Sequence, residues 1–127
     1  MLKDEIGKRG EQLASDFLKR HGYKIITHNF RTRSGEIDII GYESETICFI
    51  EVKTRSGLEF GEPEESITPS KRNQLIKTAL YYLKRHKIPE TIPVRFDVIS
   101  VMIPIGHLTT PKITLFKNAF SLCGDLL

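Results

Sequence analysis

Cysteine is scarce. Cys48 and Cys123 are the only two in 127 residues, and they form neither a C-x-x-C pair nor a disulfide framework, which suits a reducing compartment. Each reads as a small packing hydrophobe. Long apolar runs are missing as well: nothing approaches the roughly 20 residues that a bilayer-crossing helix needs, and Met1-Leu2-Lys3-Asp4-Glu5 lacks the apolar stretch of a signal peptide. A cytoplasmic protein with no membrane role is expected. Glycine and proline, at nine and six, are too few for a collagen-like or low-complexity chain. The four histidines, His21, His28, His86 and His107, are scattered, and without a His or Cys cluster a zinc site is not expected.

What is present is the composition of one soluble globular domain spanning residues 1–127, with 39% hydrophobic and 28% charged residues. The formal charge of +3 is unevenly spread. Residues 1–35 hold 8 basic and 4 acidic groups, residues 36–65 hold 2 and 9, and residues 66–127 hold 9 and 3. Basic flanks therefore enclose an acidic centre. That layout suits a polyanion held by Lys and Arg around carboxylates that need a cation, with plain solvated charge as the alternative.

Apolar residues at Ile6, Leu13, Ala14, Phe17 and Leu18 form one stripe at about 100° per residue, predicting an amphipathic helix from Asp4 to His21 that stops at Gly22. Tyr23 to Phe30 reads as a strand and Arg31-Thr32-Arg33-Ser34-Gly35 as a basic turn. Glu36 to Ile40 and Thr46 to Arg55 read as an antiparallel hairpin, and Gly57 to Glu65 as a loop and the most mobile segment. A second helix is predicted from Thr68 as N-cap and Pro69 to about His86, and Val94 to Ile103 as an interior strand. The remainder is expected to add a short edge strand and a loose tail after about residue 117. The order is α-β-β-β-α-β, an α/β domain with a mixed central sheet flanked by helices.

Chemistry concentrates where polarity enters the apolar run Ile47-Cys48-Phe49-Ile50. Glu51 and Lys53 follow it and, with a period of two, project from one face of the strand. An isolated Glu-x-Lys is ordinarily a solvated or ion-paired surface. Here it continues a buried run, and Asp38, 13 positions earlier, stands where hairpin pairing brings it near Glu51. Two carboxylates, a backbone carbonyl such as that of Val52, and waters make the all-oxygen shell that Mg²⁺ requires. Glu11 borders the core stripe of the first helix, a placement that fits a site role and a snorkelling Glu equally. Lys71 and Arg72 sit in the first turn of the second helix, where the macrodipole disfavours cations by about 0.3–1 kcal/mol each. With exposed backbone N–H groups they would make an anion site, and Gln74 would orient a phosphate or a water; an ordinary solvated helix face explains them as well. Arg31, Arg33 and Arg55 are candidate backbone contacts for nucleic acid, or loop solubilisers. Phe17, Phe49 and Phe96 read as core residues instead of base-stacking platforms.

Gly35-Glu36-Ile37-Asp38-Ile39-Ile40 and Phe49-Ile50-Glu51-Val52-Lys53-Thr54-Arg55 resemble the Asp and Glu-x-Lys signature of the PD-(D/E)XK, restriction-endonuclease-like nucleases, whose core has the same element order. Gly7-x-x-Gly10-Glu11-x-x-Ala14, Gly35-Glu36-Ile37-Asp38, Thr68-x-Ser70-Lys71, Arg95-Phe96-Asp97-Val98 and Asn118-Ala119-Phe120 resemble more narrowly the YraN-like family of bacterial proteins, and together they reach from Gly7 to Phe120. The resemblance implies a restriction-endonuclease-like fold, Asp38 and Glu51 as metal ligands, and Lys53 as the residue that positions or activates the attacking water. Glu11 matches the first-helix Glu that assists the metal site in archaeal Holliday-junction resolvases. Ile37 stands where the signature's Pro would be.

The expected function is a Mg²⁺- or Mn²⁺-dependent nuclease that hydrolyses DNA phosphodiester bonds, at branched or junction DNA in repair or recombination. Two cuts at a four-way junction would suit a homodimer. The alternative is a non-catalytic nucleic-acid-binding or accessory protein that keeps the fold, and a third reading is a plain interaction domain. Gly7-Lys8-Arg9-Gly10 satisfies a KH-type G-x-x-G but lacks the KH element order.

Overall fold

The computed structural model describes residues 3–56, 67–104 and 110–121. The loop expected at Gly57 to Glu65, His107 and Cys123 lie outside the described residues. The elements are α1 (Lys3–Arg20), β1 (Tyr23–Thr32), β2 (Gly35–Glu43), β3 (Thr46–Ser56), α2 (Pro69–Arg85), β4 (Val94–Ile103) and β5 (Lys112–Phe120). Local chemistry sets both helix lengths. In α1, Asp4 and Glu5 occupy the first turn and Lys19 and Arg20 the last, matching the macrodipole. The His21 ring then bonds the Phe17 carbonyl at 2.8 Å, and Gly22 takes φ +88, a left-handed value that a side chain would oppose. Thr68 caps α2 by accepting the Lys71 N–H at 3.1 Å, Pro69 opens the helix, and the His86 ring closes it on the Tyr82 carbonyl at 3.0 Å.

The five strands form one mixed sheet in the order β1-β2-β3-β4-β5. β1, β2 and β3 are an antiparallel meander, α2 carries the chain across to a parallel pairing of β4 on β3, and β5 returns antiparallel to β4. The helices cover opposite faces of this sheet. Leu75, Ala79 and Tyr82 of α2 pack with Ile37, Ile47, Phe49, Phe96 and Val98, whereas Ala14 and Leu18 of α1 pack with Ile39, Cys48, Ile50, Ile99 and Val101. Strand β3 lies between the two layers, which is why Ile47 to Val52 is buried without interruption. Phe49 and Phe96 are core residues, as their periodicity predicts, and Cys48 is a buried free thiol.

The C-terminal strand corrects one expectation. β5 continues through Phe120, past residue 117, because Phe120 is buried and stacked on Phe96 with ring centroids 4.7 Å apart. A local bulge hides this strand from simple periodicity. Phe96 pairs with Phe120 but Val98 pairs with Phe116, so three residues of β5 face the single residue Asp97.

Candidate functional site

Asp38 and Glu51 meet where two ladders open. The β2–β3 pairing runs from Glu43↔Thr46 to Ile39↔Ile50 and stops at that point. On the other side of β2, His28 pairs with Ile39 and Phe30 with Ile37, but the intervening Asn29 and Asp38 do not pair, and Asn29 adopts a left-handed φ of 53°. The alternation of β2 breaks there: Ile37 belongs to the α2 layer and Ile39 to the α1 layer, although they lie two residues apart. The Asp38 carboxylate takes the place of the missing backbone acceptor, its Oδ2 receiving the Val52 N–H at 2.8 Å. Asp38 is thereby locked to the backbone of the strand that carries Glu51.

Glu51 is only 7% exposed, and its Oε2 is buried with no hydrogen-bond partner. Lys71 of α2 approaches that oxygen at 3.7 Å, within ion-pair range but too long for a hydrogen bond. Burial pushes the Glu51 carboxyl up to about 8, reinforced by the charge of Asp38 and by a hydrogen bond between the two carboxyls, against the lowering effect of Lys71 and Lys53. Glu51 thus keeps a proton at neutral pH until a cation takes its place beside Asp38.

Glu11 reaches this neighbourhood from α1. Its carboxyl is shifted upward, mainly by burial and then by the charges of Asp38 and Glu36, with Arg31 and the Asn29 amide opposing. Gly10 makes the approach possible. A Cβ at this position would lie 1.9 Å from the Thr54 hydroxyl of β3, so only glycine lets the helix sit this close to the strand. Among the described residues no three His, Cys, Asp or Glu side chains form one metal-holding group.

The profile of the uncharacterised protein family UPF0102 matches residues 10–101. This chain belongs to the UPF0102 family. A UPF0102 protein of Caldicellulosiruptor bescii is 47% identical over 116 residues, covering 91% of this chain and 97% of the relative. A UPF0102 protein of Clostridium botulinum is 43% identical over 118 residues, covering 93% and 95%. A third, from Koribacter versatilis, is 42% identical over 121 residues, covering 94% and 81%. The matched span in this YraN-like UPF0102 chain holds Glu11, Asp38, Glu51 and Lys53 together.

The remaining candidates of the UPF0102 chain differ in how near they come to the pair. Lys71 turns towards Glu51, which offsets the unfavourable position of a cation in the first turn of α2. Arg72 is half-buried and Gln74 exposed on the same turns, and Gln74 lies over Gly35, whose missing Cβ would stand 3.4 Å from the Gln74 Cβ. Arg31 pairs with Glu36 at 3.3 Å, Arg33 is exposed at the β1–β2 turn, and Arg55 is half-buried beyond Lys53 on β3. Sequence reasoning missed Asn29, whose only signal is that Asn tolerates left-handed backbone within an otherwise extended run. It also missed a second polar centre. Asp97, 1% exposed, accepts two bonds from Arg95 at 2.8 and 2.9 Å, one from Tyr23 at 3.1 Å and one from the Asn118 N–H at 2.9 Å. Arg95 also meets Glu43 at 2.9 Å, and Lys117 meets Glu43 at 2.6 Å. Every oxygen of Asp97 is satisfied, so this centre holds strands together and offers no vacant donor. No helix among the described residues is long and apolar enough to cross a membrane.

Proposed function

We propose that this UPF0102 member is a divalent-metal-dependent nuclease of restriction-endonuclease-like architecture that hydrolyses DNA phosphodiester bonds, with branched or junction DNA in repair or recombination as its substrate. The observation that carries the reading is the Asp38–Glu51 pair, held rigidly at the opening of two ladders with a buried carboxylate oxygen that has no hydrogen-bond partner. The donor set fits a hard cation. Asp38, Glu51 and the backbone carbonyl of Val52 would hold Mg²⁺ or Mn²⁺, with Glu11 as an outlying acidic partner. The ion would supply Lewis acidity to the phosphate and a more acidic water. Lys53 shares the strand face of Glu51, where its ammonium orients a water and opposes charge growing on phosphorus. Lys71 approaches Glu51 directly, and Arg31, Arg33, Arg55, Arg72 and Gln74 would supply further groups for phosphate oxygens. A homodimer would bring two such sites to one junction.

The test is cleavage of duplex, single-stranded, flap and four-way-junction DNA with Mg²⁺, Mn²⁺ or chelator. Metal-dependent cleavage is expected, reduced by about 100-fold or more in Glu51→Gln and in Lys53→Ala, while both variants still bind DNA. DNA binding with no cleavage in either metal would replace this reading with that of a non-catalytic accessory protein. Sedimentation of the protein with junction DNA reports whether two copies assemble.

A further inference from the structure

Between the edge strand β1 and the C-terminal half of α2 lies a groove of about 760 Å³. Its lining holds Arg31, Arg33, Arg85 and His86 and no carboxylate. Arg31 is paired with Glu36, whereas Arg33 and Arg85 have no carboxylate partner among the described residues, so the concavity keeps a net positive charge that suits an anion. The floor is aromatic. Phe30 sits edge-on to Tyr82 at 5.3 Å and lies 6.3 Å from Tyr81. Tyr82 belongs to the buried face of α2, but Tyr81 does not and is 48% exposed. Core packing therefore does not account for Tyr81 at this position. Arg85 nevertheless fixes its orientation, donating to the Tyr81 hydroxyl at 3.1 Å.

Cationic rims beside an exposed, oriented ring are the components of a single-strand platform, with phosphates on the guanidiniums and a base on the ring. A duplex keeps its base faces inside the stack and has none to offer. The volume is that of a pocket for a small molecule or a single nucleoside, far too small for a double helix. The rim of the groove leads by the chain into the strand that carries Asp38. Arg31 lines the groove while pairing with Glu36, and the turn runs through Thr32 and Ser34 into β2.

We propose that the groove between β1 and α2 seats unpaired nucleotides of a DNA strand, with one base stacked on Tyr81 and the flanking phosphates on Arg31, Arg33 and Arg85. This rests on the nuclease reading of the neighbouring site and narrows its substrate to phosphodiesters beside a boundary between duplex and single strand.

The experiment is fluorescence anisotropy in chelator, at one fixed salt concentration, with a blunt duplex and the same duplex extended by a thymidine overhang. The overhang probe is expected to bind about 10-fold more tightly. Tyr81→Ala should abolish that preference, Tyr81→Phe should keep it, and Arg85→Ala should weaken it. Tyr81 is half-exposed, so a thermal melt of each variant should match the parent. Equal affinity for both probes, or a preference that survives Tyr81→Ala, overturns the proposal. The two readings fail separately. An overhang preference removed by Tyr81→Ala without cleavage in any metal sustains the groove and sinks the nuclease. Metal-dependent cleavage with no overhang preference does the reverse.

Discussion

Glu51 is under electrostatic strain, and its titration should show in stability. Its carboxyl is raised from 4.5 to about 8, chiefly by burial and then by Asp38, so between those values the native protein keeps a proton that the unfolded chain has released. Stability in chelator must fall as pH rises through that window. The urea midpoint is expected to be lower at pH 8 than at pH 5.5, and Glu51→Gln should flatten the difference and raise the midpoint at pH 8. Glu43 works in the opposite sense. A hydrogen bond from Lys117, then one from Arg95, holds its carboxyl below the usual range, so its contribution is present at neutral pH and is lost as pH falls through that lowered value. Glu43→Gln should therefore remove part of the acid limb of the same profile.

At the scale of elements, the contact of Gly10 with Thr54 decides how close α1 comes to the sheet. Gly10→Ala should destabilise the protein by about 1–3 kcal/mol through overpacking, measured by urea unfolding. Adding Thr54→Ala removes the two nearest clashing atoms and should recover part of that loss, a coupling that a double-mutant cycle isolates. Much at this scale was readable from local chemistry. Thr68 and Pro69 mark the start of α2 because capping involves only neighbours in sequence, and the apolar run from Val94 marks β4 as interior. Asp38 and Glu51 could be singled out because charge interrupts apolar strands. The break at Asn29 and Asp38 could not, since it depends on which residue of one strand faces which of another. Lys71 was legible as a misplaced cation, but its turn towards Glu51 depends on where the crossover sets α2 on the sheet.

At the scale of the whole molecule, the C-terminal strand is structural. Asn118 donates its N–H to Asp97 and Phe120 stacks on Phe96, so a chain ending at Phe116 loses one bond to a buried carboxylate and a wall of the core. Such a truncation is expected to abolish a cooperative thermal transition, and Asn118→Ala, which keeps the N–H, should retain it. Asp97→Ala should cost about 3–5 kcal/mol by leaving Arg95 without its main partner, again by urea unfolding. The two-sided core has a further consequence for the order of assembly. Ala14 and Leu18 of α1 pack against Ile99 and Val101 of β4, elements near opposite ends of the chain. Part of the seat of α1 is therefore a strand that joins the sheet only through the parallel crossover. Contacts this distant in sequence slow the search for the native state. Glu11 rides on α1, so its approach to Asp38 depends in part on a strand far along the chain.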